Sequence, residues 1–108
     1  MKIRHTLLIA PALLLLGCRT PAPAAARTFT YACTDGRTVQ AAYPDTHTTV
    51  LTLDGQTQRL QVAVSADGAR YVGDHWQWWT KGMHDAQLAA LKPGQTIASG
   101  QAVTCTAP

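Results

Sequence analysis

Around Asp54-Gly55 apolar and polar positions alternate along the chain. Thr49, Leu51 and Leu53 alternate with Thr48, Val50 and Thr52 before the turn, and Leu60, Val62 and Val64 alternate with Arg59, Gln61 and Ala63 after it. A period of two predicts strands with one buried face, and Asp-Gly between two such runs predicts a hairpin. Thr28–Cys33 and Thr38–Tyr43 form a second such pair around Asp35-Gly36. Further turn signals follow at Tyr43-Pro44-Asp45, Asp67-Gly68, Gly73-Asp74, Lys81-Gly82 and Lys92-Pro93-Gly94. Between them Tyr71-Val72, His75–Thr80 and Gln101–Thr106 read as strands. Asp85–Leu91 has good helix propensity, but seven residues between two glycine-containing turns read better as a strand. The expectation is an all-β domain over residues 28–108.

The N-terminal pattern is different. Met1–His5 is basic and Thr6–Leu16 is largely apolar. The apolar run falls short of the roughly 20 residues that a bilayer-spanning helix needs. It fits a signal peptide over residues 1–17. Leu15-Leu16-Gly17-Cys18 resembles a bacterial lipobox, which makes Cys18 the lipidated residue and the membrane anchor. Residues 18–27, rich in proline and alanine, then form a tether, which in extended form reaches roughly 30 Å. Arg19 follows the cysteine instead of the aspartate that commonly holds lipoproteins at the inner membrane. The expected location is therefore the outer membrane, facing the periplasm.

With Cys18 committed to lipid, Cys33 and Cys105 are left as an even pair in an exported chain, which predicts a disulfide. The bridge would tie the first strand to the last across 72 positions, as a closed or nearly closed barrel requires. A domain this small buries little surface and gains from such a staple.

The formal charge of +3 belongs largely to the leader and tether. From Thr28 onward five basic residues meet six aspartates, leaving −1, so nothing argues for a nucleic-acid partner. The same region has no glutamate, two serines outside any nucleophile elbow, and three histidines, His47, His75 and His84, without metal-ligand spacing. No catalytic residue, metal site or cofactor is expected.

Trp76, Trp78 and Trp79 are the most unusual feature. On a strand Trp76 and Trp78 share a face with Thr80, while Trp79 shares the other with Gln77 and Lys81. One face packs the core, which leaves the remaining tryptophan as a possible anchor for a sugar or a protein.

Tyr31, Cys33 and Gly36, then Asp67-Gly68-Ala69-Arg70-Tyr71, then Trp76 with Thr80-Lys81-Gly82, and finally Cys105, together resemble the MliC/PliC family. Its members are membrane-bound or periplasmic inhibitors of c-type lysozyme. The resemblance covers nearly all of residues 28–108, and its two short motifs keep their order and spacing, with Asp67 and Lys81 fourteen positions apart. It implies an eight-stranded antiparallel β-barrel and c-type lysozyme as partner. The implied mechanism is insertion of two loops into the lysozyme cleft: Lys81 makes the ionic contact, Gly68 and Tyr71 shape and support the first loop, and Thr80 and Gly82 frame the second.

The chain departs from the family pattern at two positions. Trp76 stands where the second motif has tyrosine, and Asp67 stands where the first has serine. A carboxylate delivered beside two catalytic carboxyls is repelled unless one of the three holds a proton. Asp67 could accept a hydrogen bond from a protonated catalytic acid, turn aside to Arg70 or Lys81, or signal a different target. Ser65, two positions earlier, is an alternative hydroxyl. An envelope module that binds a glycan or small ligand on exposed aromatics is the other functional reading, and a barrel serving envelope assembly is a third.

Overall fold

The computed structural model describes residues 27–108. The expected signal peptide, Cys18 and the tether up to residue 26 lie outside them. Eight strands follow one another: β1 (Thr28–Cys33), β2 (Thr38–Asp45), β3 (Thr48–Leu53), β4 (Gln56–Ala63), β5 (Ala69–Val72), β6 (Trp76–Lys81), β7 (Asp85–Ala90) and β8 (Val103–Thr106). Each pairs antiparallel with the next, and β8 returns to β1, so the sheet closes into a barrel without a free edge.

Local chemistry explains the first steps of this path. Asp54 and Gly55 both have positive φ, 50° and 74°, as a tight hairpin whose twist matches its strands requires. Thr49, Leu51 and Leu53 are buried, as the alternation of β3 predicts. In β4 the predicted face is only partly buried. Leu60 is fully inside, but Val62 is 42% exposed and Val64 91% exposed. Pairing of β4 with the short β5 stops at Ala63, so no wall remains for Val64 to pack against. β7 is a strand in spite of its helix propensity: Ala86 and Leu88 point inward and pair with β6 on one side and β8 on the other.

The core is centred on Trp78, which is fully buried. The Tyr31 ring meets it nearly edge-on at 4.9 Å between centroids. Its indole N–H donates to the Tyr43 hydroxyl at 3.0 Å, and that hydroxyl is 3.0 Å from the hydroxyl of Tyr31. The large aromatic payload of Trp78 thus enters the barrel with its one polar atom satisfied.

The seam between β1 and β8 has two paired positions, Ala32 with Thr106 and Cys33 with Cys105. The second is the disulfide, which closes 72 positions of chain. The bridge therefore lies where the barrel wall has little hydrogen bonding to hold it.

Candidate functional site

Strands alternate in direction, so the connections sort into two ends. The β4–β5 loop and the β6–β7 turn fall at the same end, together with the start of β1. The resemblance assigned Asp67-Gly68 to the first connection and Lys81-Gly82 to the edge of the second. The fold brings them together, because Ala69 pairs with Thr80 in the register of β5 and β6.

The first loop is held down by specific contacts. Gly68 has φ +60°, and a Cβ there would collide with the Thr80 carbonyl oxygen. Only glycine lets the loop backbone lie against β6. Trp79 Nε1 donates to the Asp67 carbonyl at 2.9 Å, and Thr80 Oγ1 donates to the Ala69 carbonyl at 3.2 Å. Ser65 donates its hydroxyl to the Gly68 carbonyl at 3.3 Å, which ties that group into the loop backbone. Arg70 fixes the start of the loop, with Nε to the Val64 carbonyl at 3.0 Å and Nη1 to the Thr96 carbonyl at 2.7 Å.

Lys81 leaves β6 on the outer face. Its Nζ is 2.9 Å from Asp67 Oδ1 and 4.1 Å from the centroid of the Trp79 ring. Of the arrangements open to Asp67, free chain therefore adopts the pairing with Lys81, and Arg70 is engaged elsewhere. The Asp67 side chain is 70% exposed and that of Lys81 36% exposed, so the pair is wet and contributes little to folding. What it does is hold an ammonium and a carboxylate side by side at the tip of the barrel. Gly82, with φ +74°, then turns the chain into β7.

Beside this pair the barrel mouth opens as an apolar bowl of about 240 Å³. Tyr31, Tyr43 and Tyr71 lie deep in it, and Phe29 and Met83 stand at the rim, 38% and 86% exposed. Burial and the hydrogen bond with Tyr31 push the Tyr43 hydroxyl well above the ordinary tyrosine range, so it stays neutral. A charged pair beside an exposed apolar rim suits a protein partner. Among the described residues no three His, Cys, Asp or Glu side chains gather to hold a metal ion.

Sequence reasoning missed Trp79 and Arg70 as the braces of the first loop, and the rim of Phe29 and Met83. Alternation placed Trp79 on the face of Lys81, and that was the available signal. The Trp79–Asp67 bond depends on the β5–β6 register, which no local pattern reveals. Trp79 is half-buried, with its N–H donated and its ring beside Lys81, so it does not offer the free aromatic platform that a glycan-binding module needs.

Residues 31–96 match the family described as membrane-bound lysozyme-inhibitor of c-type lysozyme. A curated protein of Cupriavidus necator, named membrane-bound lysozyme inhibitor of C-type lysozyme, is 41% identical over 69 residues. The match covers 61% of this chain and 53% of that relative, so the chain spans about half of the relative's length. No solved structure matches the chain.

Proposed function

The chain belongs to the family of membrane-bound inhibitors of c-type lysozyme, and from that premise we propose that it inhibits such a lysozyme through the barrel end bearing Asp67-Gly68 and Thr80-Lys81-Gly82. The observation that carries this reading is Lys81, an ammonium held at the tip of a closed barrel and, among the described residues, in an ion pair only with a carboxylate that is itself 70% exposed.

A retaining lysozyme works with two carboxyls, one protonated as general acid and one ionised. Lys81 supplies the complementary charge. Carried with Asp67 into a cleft with little water, it makes a charge-assisted contact with the ionised carboxylate. Gly68 and Gly82 keep both connections slim, and Tyr71, buried on β5, lines the bowl beside them. Phe29 and Met83 cover apolar surface around the cleft mouth, so the sugar path is closed by bulk as well as by charge. The chain itself does no chemistry in this reading and needs no cofactor. Cys18 carries the lipid that anchors it to the outer membrane, with the barrel in the periplasm.

The test is a titration of a c-type lysozyme clearing a cell-wall suspension. The full chain inhibits stoichiometrically, and Lys81→Ala weakens inhibition by about ten- to a hundredfold, the size of a hydrogen bond to a charged group. Inhibition by Lys81→Ala equal to that of the unaltered chain removes Lys81 from the site.

A further inference from the structure

We propose that binding of this chain to lysozyme takes up a proton, so that its inhibition is strongest in acid and fades as the pH rises through neutrality. The inference rests on the reading above and concerns how that same site is regulated.

Lys81 cannot enter a cleft alone. Asp67 Oδ1 is 2.9 Å from its ammonium, and the loop that carries Asp67 is pinned to β6 through the Trp79 N–H and by the fit of Gly68 against Thr80. The pair therefore arrives as a unit, with no net charge, beside two catalytic carboxyls. Three carboxyl groups then share one ammonium in a place with little water.

The neighbouring charges do not relieve this. Arg70, on β5, is turned to the Val64 and Thr96 carbonyls. On β7 the residue paired with Lys81 is Asp85, which adds negative charge. His84, in the β6–β7 turn, has Nδ1 3.2 Å from the Pro108 carbonyl oxygen. On β4 the paired end of the strand is Ala63, which carries no charge.

Two carboxyls held close cannot both be ionised, and one proton between them turns repulsion into a hydrogen bond. Lysozyme's general acid already holds that proton below about pH 6. Above it, the proton must come from solvent. Lys81 bridges Asp67 and the ionised catalytic carboxylate, and the protonated acid donates to Asp67. Affinity then falls about tenfold for each pH unit above about 6, the limit for uptake of a single proton.

Calorimetric titration of the full chain into a c-type lysozyme, in buffers of different ionisation heat, reads the uptake directly. The expected values are about 0.9 proton at pH 7 and about 0.1 at pH 5. Asp67→Asn lowers the uptake at pH 7 towards zero while binding persists, and so does a lysozyme whose general acid is replaced by its amide. Binding with equal uptake at pH 5 and pH 7, or an uptake that survives Asp67→Asn, overturns the inference and leaves the inhibitor reading standing. Absence of binding at both pH values overturns that reading, and the inference with it.

Discussion

On the proposed reading, Asp67 is the residue that sets the pH dependence of this chain's binding. Its carboxylate pairs with Lys81 in the free protein, and in the proposed complex it would crowd the catalytic carboxyls. Asp67→Ser should therefore bind a c-type lysozyme about tenfold more tightly at pH 7, with little change at pH 5. Unchanged or weaker inhibition by that variant would sink the repulsion argument. The sequence alone left Asp67 several orientations. It could not choose among them, because the choice depends on Trp79 and Thr80, which hold the loop from the next strand but one. Lys81 was legible as a strand-end cation, and Gly68 as a turn former. The stricter reason for Gly68, the closeness of the Thr80 carbonyl, is tertiary.

At the level of elements, the two connections act as one unit because β5 and β6 keep them in register. At Gly68 the β4–β5 loop comes directly against the Thr80 carbonyl of β6, an approach that only a glycine permits. Gly68→Ala must push the loop outward, with loss of the Trp79–Asp67 bond. Inhibition should fall at least tenfold, and stability by about 1–3 kcal/mol. A variant that inhibits and melts like the parent would show that the loop tolerates the displacement. Strand positions were readable wherever one face alternates, as in β3. They were less readable at β7, where alanines and leucines favour a helix and the outcome is set by pairing to two neighbours at once. The end of β4 misled in the opposite sense, since Val62 and Val64 continue an apolar alternation beyond the barrel wall.

For the whole molecule, closure is the dominant constraint. The seam of β1 and β8 has two paired positions and one covalent bond. Replacing Cys33 and Cys105 by serine removes the restraint on a 72-position loop, worth at most roughly 4 kcal/mol. A domain of this size should then melt far lower, or unfold near body temperature, as followed by circular dichroism. A melting curve unchanged by reduction would mean that the seam holds itself. Cysteine parity and strand periodicity indicated a bridge from the first strand to the last, as a closed or nearly closed barrel requires, and the family resemblance implied the eight-stranded barrel. The barrel end that carries the site also follows from them, since alternating strands place every second connection at the same end.

The central claim is that this end occupies the lysozyme cleft. The most direct measurement is binding of the full chain to a c-type lysozyme whose cleft is already filled by an oligosaccharide of the substrate type. The account predicts mutual exclusion, with apparent affinity falling in proportion to the sugar's occupancy. A ternary complex, with sugar and chain bound together at undiminished affinity, would contradict it.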